Sequence, residues 1–256
     1  TFPNETLPKG RKQKTTALYD RFINQGAVMG DSFGLENVLW FANNKNDAFE
    51  NPTIKRSRSH DYVSKEVINV RENVGLIEVA NFSKHEFKGP DARKFLDHIM
   101  AGRLPKPGRI SLSPMLSYRG KLCGDLTVAC FDEDEFMVFG SGAAQEMHRR
   151  WFESHLGKFN LNYTNRSDEY HGLSIAGPNS RKVLEKIVRD DVSNEKFKFR
   201  DSRRMFVGGV PAIINRISFT GELGYEIYVA PHYQIKLYEE IIEAGKEFNI
   251  KPFGGR

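Results

Sequence analysis

The chain contains 256 residues, of which 39% are hydrophobic and 12% aromatic, and 38 Lys and Arg against 33 Asp and Glu give it a formal net charge of +5. This composition is typical of one large folded domain or two smaller ones and excludes disorder, collagen and coiled coil. No apolar run approaches the roughly 18 residues of a membrane span, and the basic residues are dispersed, so we expect neither a membrane nor a nucleic acid as partner.

Residues 1–57 are polar and interrupted by Gly and Pro, with one helix-like stretch over 16–24 and an aromatic pair at Trp40 and Phe41. The composition becomes richer in strand and helix patterns after this segment. We therefore expect residues 1–57 to form an N-terminal arm that wraps another part of the protein.

Short strands and amphipathic helices alternate through the remainder of the chain. Strands are predicted over 75–82, 85–87, 126–131, 136–140, 205–207, 210–219 and 225–230, and helices over 91–100, 143–156 and 231–248. Because short turns outnumber crossover connections, the sheets are predicted to be mostly antiparallel.

One strand–turn–helix unit occurs twice, over 85–100 and 173–188. The residues that recur at an offset of 88 are Gly89, Pro90, Arg93, Lys94, Leu96 and Ile99, which return as Gly177, Pro178, Arg181, Lys182, Leu184 and Ile187. In each copy a polar residue, Asp91 or Asn179, is placed to cap the helix amides. The repeat predicts an α+β fold with two related sheet-plus-helix subdomains, 58–82 plus 167–256 and 83–166.

Two other patterns carry little chemistry. The glycine-rich turn at Gly140 and Gly142 lacks the third glycine and the parallel βαβ setting of a dinucleotide site, so it predicts the start of a helix. His148 and His155 share one face of a predicted helix but have no third ligand, which predicts an exposed helix face and no metal site. The two cysteines, Cys123 and Cys130, form no metal-binding motif and fit a reducing compartment.

Two carboxylates remain open to either a structural or a functional interpretation. Asp125 stands at the head of an apolar strand, where a turn or strand-start residue is the simpler interpretation and a buried charge would need a partner. Glu226 alternates with Tyr225 and Ile227 and lies on the opposite face beside Tyr228, so spacing alone predicts that it is solvated.

A combination of motifs along nearly the whole chain resembles the folate-binding aminomethyltransferase family, which includes the T-protein of the glycine cleavage system. The motifs are VGLIEV, KGPDA, GKLCGDL, AGPNS and TGELGYE. Within this family, residues 18–42 and the ending KPFGGR are similar to the C-terminal region of flavin-dependent dimethylglycine and sarcosine dehydrogenases. The resemblance implies a T-protein-like fold with a central folate cleft between the two subdomains, without the family's C-terminal barrel.

The resemblance also implies roles for individual residues. Asp125 matches the second carboxylate of the family's Asp pair, and Gly124 replaces the first. In the family this second carboxylate faces N5 of tetrahydrofolate, so Asp125 is the expected catalytic residue. Glu226 matches the glutamate that hydrogen-bonds the pterin ring, and the expected cofactor-binding set is Glu226, Phe219, Leu112, Phe82 and Tyr228. Phe219 and Leu112 stand where the family places tyrosines, and Phe82 stands where it places a methionine.

The implied function is that of the tetrahydrofolate-binding, one-carbon-transfer region of a demethylating amine dehydrogenase, which captures a methylene group on N5 to give 5,10-methylenetetrahydrofolate. The partners are then a folate and a methylated amine, with FAD bound by a region outside this chain in the same longer polypeptide. The alternatives are a T-protein-like aminomethyltransferase of glycine cleavage and a folate-binding module without turnover. The expected location is cytoplasmic, or the mitochondrial matrix in a eukaryote.

Overall fold

The structure is a computed structural model that describes residues 8–49 and 53–256. Its helices are α1 (Tyr19–Asn24), α2 (His60–Glu72), α3 (Ala92–Ile99), α4 (Gln145–Leu156), α5 (Ser180–Ile187) and α6 (Gln234–Gly245). Its strands are β1 (Ala27–Ser32), β2 (Leu35–Phe41), β3 (Gly75–Glu78), β4 (Phe82–Lys88), β5 (Arg109–Leu116), β6 (Leu122–Asp132), β7 (Glu135–Ser141), β8 (Asn162–Asn165), β9 (His171–Ala176), β10 (Ser202–Val207), β11 (Val210–Asn215), β12 (Gly224–Val229) and β13 (Lys251–Pro252). In this described part of the chain, no helix has the length and apolar character needed to cross a membrane.

Two open sheets carry the fold. The larger has the strand order β10-β11-β12-β9-β3-β13 and the smaller β5-β6-β7-β4-β8. Every neighbouring pair is antiparallel except β13 and β3. The α+β class with mostly antiparallel sheets is therefore confirmed.

Helices cover the outer faces of both sheets, and the inner faces pack against each other. One core joins the six-stranded sheet to α1, α5 and α6, and a second joins the five-stranded sheet to α3 and α4. A third, smaller core draws from both sheets and consists of Val79, Ile110, Ala129, Met137, Phe139, Ile213 and Tyr228. Both sheets are consequently buried on two faces near their centres.

The sequence repeat is also a structural repeat. Helices α3 and α5 begin and end at residues related by the same offset of 88, and each follows a glycine with positive φ, Gly89 at 138° and Gly177 at 126°. Asp91 and Asn179 occupy the N-cap positions, but the predicted side-chain caps are wrong. Asp91 Oδ2 instead accepts from the Asn160 amide at 2.9 Å, and Asn179 Oδ1 accepts from Lys182 Nζ at 3.0 Å.

The N-terminal segment contains structure that the sequence analysis did not predict. Residues 27–41 form the hairpin β1–β2, and Trp40 of this hairpin is fully buried and packs 5.0 Å from the ring of Tyr62 in α2. Residues 1–7 and 50–52 of the proposed arm lie outside the described residues. The predicted strand over 210–219 ends at Asn215, and the residues that follow it form a loop toward the space between the sheets.

Candidate functional site

A cavity of about 800 Å³ lies between the inner faces of the two sheets. This volume falls within the range of roughly 300–1,000 Å³ that small-molecule sites occupy. The lining residues are Ser32, Asn81, Phe82, Ile110, Ser111, Leu112, Asp125, Thr127, Phe139, Gly140, Ser141, Gly142, Ala143, Phe199, Arg200, Ile217, Ser218, Phe219 and Glu226. Aromatic and aliphatic walls with a few polar groups are typical of a ligand site.

Glu226 forms the deep end of this cavity, with 6% of its surface exposed. It lies at the centre of β12, between Asn215 of β11 and Ser174 of β9. The predicted alternation with Tyr225 and Ile227 is present, but the predicted solvation is wrong, because the five-stranded sheet covers this face. Burial raises the pKa of Glu226 to about 7, although the Tyr228 hydroxyl donates to its Oε2 at 2.9 Å.

Asp125 lies on the opposite wall, on β6 of the five-stranded sheet, and its side chain is exposed. It pairs with Pro114 of β5, so it shares a face with Leu112, whose partner is Thr127. The structure therefore brings Asp125 and Glu226 to a single cavity from two different sheets.

The four apolar or aromatic residues of the predicted binding set occupy different positions. Phe82 is partly buried in the cavity wall, whereas Leu112 and Phe219, with exposed fractions of 64% and 92%, lie at its rim. Tyr228 does not line the cavity: it is fully buried behind Glu226, and its ring stacks on Phe139 at 4.7 Å between centroids.

The structure adds residues that the sequence analysis did not assign to the site. The turn from Gly140 to Ala143 begins α4, as predicted, and also forms one wall. Arg200 lines the cavity from a left-handed conformation with φ of 68°, and its Nε donates to the carbonyl of Ile110 at 3.0 Å. A motif search does not find Arg200, because its position depends on the contact between the sheets.

A group of buried polar side chains lies behind the cavity. Lys84 is fully buried, and its Nζ donates to the carbonyls of Ala80 at 3.0 Å and Ser167 at 3.5 Å. Burial lowers the pKa of Lys84 to about 7 and raises that of Glu78 to about 7. Glu78 accepts a hydrogen bond from Gln234, whose Oε1 lies 3.2 Å from His171 Nδ1.

The described residues contain no group of three or more His, Cys, Asp or Glu side chains that could hold a metal ion. The prediction that His148 lies on an exposed helix face is wrong, since its ring is 2% exposed and Nε2 lies 3.2 Å from the carbonyl oxygen of Cys123. Gly124 of β6 also lies against this ring, since a Cβ at that position would be 2.8 Å from Nε2. Both cysteines are free.

Comparison with known proteins identifies the family. Residues 18–256 match the GCVT N-terminal domain, so the chain belongs to this family. It is 34% identical over 257 residues to mitochondrial dimethylglycine dehydrogenase of Mus musculus, covering 99% of this chain and 29% of that relative. It is 31% identical over 188 residues to the aminomethyltransferase of Thermoanaerobacter pseudethanolicus, covering 72% of this chain and 50% of the relative.

Solved structures show the same fold. The glycine cleavage system aminomethyltransferase T from Bartonella henselae superposes with a TM-score of 0.77 at 21% identity, covering 94% of this chain and 60% of that chain. The heterotetrameric sarcosine oxidase from Corynebacterium sp. U-96 gives a TM-score of 0.58 at 19% identity, covering 77% of this chain and 97% of that chain. The resemblance to the aminomethyltransferase family is confirmed, and the chain spans less than a third of the dimethylglycine dehydrogenase that it matches.

Proposed function

We propose that the cavity binds tetrahydrofolate and that the chain is the one-carbon-transfer region of a flavin-dependent demethylating amine dehydrogenase of the dimethylglycine or sarcosine type. The observation that carries this proposal is the placement of two carboxylates in one cavity, with Glu226 buried at the deep end and Asp125 exposed on the opposite wall. The mitochondrial dimethylglycine dehydrogenase that matches nearly the whole chain supports the dehydrogenase type and a mitochondrial location.

The residues of the cavity fit a reduced pterin. Glu226 Oε2 receives a hydrogen bond from Tyr228, and no described residue donates to Oε1, so an acceptor remains for a ligand. The aminopyrimidine edge of a pterin presents parallel N–H donors, and each hydrogen bond to a charged carboxylate contributes about 1.5–3 kcal/mol. Phe82, Ile110 and Phe139 provide apolar surfaces for the ring.

Tetrahydrofolate, when bound, would supply N5 as the nucleophile that attacks the methylene carbon of an iminium and N10 as the second nucleophile, which displaces the demethylated amine as that amine takes the N10 proton. Asp125 would hold N5 in line, stabilise positive charge next to it, and accept the proton that it releases. Because Asp125 is exposed, it can pass that proton to water. The apolar walls would exclude water from the electrophile, since hydrolysis of the iminium is the competing reaction. FAD would be bound by another region of the same polypeptide, where the methylated amine is oxidised.

A T-protein-like aminomethyltransferase is the second candidate, supported by the bacterial aminomethyltransferases at 31% identity and by the T-protein structure. The two candidates differ in the donor of the one-carbon unit. If the chain accepts the unit from an aminomethyl-lipoyl carrier protein, and not from an oxidised methylamine, the second candidate is correct.

The arrangement of strands supports the proposed subdomain boundaries. The six-stranded sheet takes β3 and all strands from β9 to β13, and the five-stranded sheet takes β4 to β8. We propose residues 58–82 plus 167–256 and residues 83–166 as the two folate-binding subdomains, with 1–57 as an arm on them.

Titration of the chain with tetrahydrofolate tests the binding proposal. We expect Glu226→Gln to weaken binding about 10- to 100-fold, because the amide has no charge and turns one acceptor into a donor. Glu222→Gln is the matched control: it lies four residues earlier, does not line the cavity and should leave the affinity unchanged. Equal affinity in wild type and Glu226→Gln would remove the pterin assignment.

Asp125→Asn separates catalysis from binding. We expect it to reduce formation of methylenetetrahydrofolate by about 100-fold while tetrahydrofolate affinity stays within about tenfold, because general acid–base groups contribute about 10²–10⁴ in rate. The measurement compares product formation, in the flavin-containing polypeptide, with the dissociation constant. Equal losses of both would instead favour a folate-binding module without turnover.

A further inference from the structure

Lys84 has an unusual position for a lysine. Its side chain is fully buried between the sheets, on β4 opposite Phe139 of β7. Both hydrogen bonds from its Nζ go to backbone carbonyls, those of Ala80 and Ser167. Among residues 8–49 and 53–256, no carboxylate oxygen lies within 4.0 Å of Nζ. A buried ammonium without a contacting counterion is costly, and an apolar side chain of similar size would avoid this cost.

The surroundings of Lys84 are nevertheless rich in charge. The ionisable groups that act on it are Asp168, Lys14, Glu78 and Glu226, and it acts in turn on His85 and His171. Lys14 and Asp168 pair with each other at the surface, where solvent screens them. Glu78 and Glu226 are both buried, so solvent screens their interaction with a buried ammonium least.

Tyr228 connects Lys84 to Glu226, the residue at the deep end of the cavity. Lys84 Nζ lies 5.7 Å from the centroid of the Tyr228 ring, and the hydroxyl of that ring donates to Glu226 Oε2 at 2.9 Å. A cation near an aromatic ring interacts favourably with it and makes the hydroxyl a better donor. The positive charge therefore favours the ionised form of Glu226 both directly and through its hydrogen-bond donor.

Glu226 needs a positively charged partner within the protein, because the proposed ligand does not supply one. The aminopyrimidine edge of a pterin is a neutral donor, and a ligand that fills the cavity removes water from Glu226. We propose that Lys84 is a positioning residue whose positive charge favours the ionised form of Glu226, so that the carboxylate can accept both N–H groups of the ligand. This inference rests on the proposed function for its purpose, but the coupling between Lys84 and Glu226 can be measured without any ligand.

The simpler alternative is that Lys84 only joins the carbonyls of Ala80 and Ser167. In that case its removal would change stability and leave the titration of Glu226 unchanged. The ¹³C NMR signal of the Glu226 carboxyl, assigned by its loss in Glu226→Gln, distinguishes the two roles. We expect Lys84→Met to move the titration midpoint of Glu226 upward by about one pH unit, a tenfold change in its ionisation equilibrium.

Lys88→Met is the matched control for charge. Lys88 lies at the end of the same strand, where its exposed side chain pairs with Glu135 at 3.4 Å, so its removal also removes one lysine and should leave the midpoint in place. A midpoint that does not move in Lys84→Met, or moves equally in both variants, would overturn the proposal.

Tetrahydrofolate binding gives the functional readout. At pH 6, below the pKa of about 7 of both groups, Lys84 is mostly charged and a midpoint one unit higher lowers the ionised fraction of Glu226 about tenfold. We therefore expect Lys84→Met to weaken binding at pH 6 about tenfold in the wild-type background and less than twofold in the Glu226→Gln background. A loss of the same size in both backgrounds contradicts the coupling. If the wild-type chain does not bind tetrahydrofolate, the proposed function fails, while the carboxyl titration still decides the role of Lys84.

If Lys84→Met does not fold, the reverse measurement applies. Coupling between two titrating groups is reciprocal, so removal of the Glu226 charge must lower the pKa of Lys84. We expect the ¹³C resonance of the Lys84 side chain to titrate at lower pH in Glu226→Gln than in the wild type. An unchanged Lys84 titration would overturn the proposal without any substitution at Lys84.

Discussion

Glu226 and Asp125 have the same chemical group in opposite surroundings. Glu226 is covered by two sheets and raised in pKa by burial, whereas Asp125 is open to solvent. Burial strengthens hydrogen bonds to a ligand, and exposure allows exchange of protons with water. The two environments suit recognition at one end of the cavity and proton transfer at the other.

The burial of Glu226 has a consequence for stability. The pKa of Glu226 is about 7 in the folded chain and 4.5 without burial. Ionisation of Glu226 therefore lowers the free energy of unfolding by its full amount above pH 7, and has no effect on it below pH 4.5. We expect Glu226→Gln to be more stable than wild type by about 1–3 kcal/mol at pH 8, with a difference that vanishes as the pH falls to 4.5. Thermal unfolding of both proteins from pH 4.5 to 8 provides the measurement. A variant that is less stable than wild type at pH 8 would contradict the prediction. If the variant is instead more stable, its loss of ligand binding cannot be caused by unfolding.

Sequence spacing predicted which face of β12 carries Glu226 but not that this face is buried. Alternation along one strand shows which residues share a face of the sheet, but not whether another element covers that face. The covering sheet is formed by residues 82–165, which are distant from β12 in sequence. For the same reason Lys84 and Arg200 gave no signal, since each gains its position from contacts between the sheets.

The two copies of the strand–turn–helix unit are the elements that sequence predicted best. Their pattern is local: a glycine, a proline and an apolar stripe within 16 residues determine both the turn and the helix face. The β1–β2 hairpin was missed because its two-residue turn is Phe33-Gly34, with Phe33 at φ of 53°. Asn or Asp is usual at such a position, so the common hairpin signal is absent.

The glycine of the second copy is expected to be sensitive to any side chain. A Cβ on Gly177 would lie 2.4 Å from the Val70 carbonyl oxygen, whereas one on Gly209, also at positive φ, meets nothing within 4 Å. We expect Gly177→Ala to lower the free energy of unfolding by about 2–4 kcal/mol and Gly209→Ala by about 1 kcal/mol. Urea denaturation of both variants measures the difference. Equal losses would mean that backbone conformation alone, and not the contact, sets the cost.

At the scale of the whole molecule, one side chain joins three distant segments. Glu66 of α2 accepts from the Phe41 amide of the hairpin at 2.7 Å and from the Gly254 amide at 3.0 Å. The hydrogen-bonded residues are 25 and 188 positions apart in sequence, so these contacts could not be predicted from the sequence. They connect the N-terminal segment and the C-terminal residues to the body of the fold.

Removal of this carboxylate should loosen both segments together. We expect Glu66→Ala to cost about 2–4 kcal/mol, because it leaves two amides without an acceptor. Hydrogen exchange at Phe41 and Gly254 should accelerate in parallel. Glu72→Ala, at the exposed end of the same helix, is the control and should alter neither. Acceleration at only one of the two amides would contradict the joint role.

The chain crosses between the two large sheets only twice within the described residues, at 79–81 and at 166–170. A ligand that contacts Asp125 on one side and Glu226 on the other would add a non-covalent contact between the two sheets. This contact would form only when the ligand is bound. This contact would add to the third core and to the backbone hydrogen bonds between residues 108–110 and 200–202, which already hold the two sheets together. Ligand binding would therefore raise the resistance of the two sheets to separation, to an extent set by the ligand concentration.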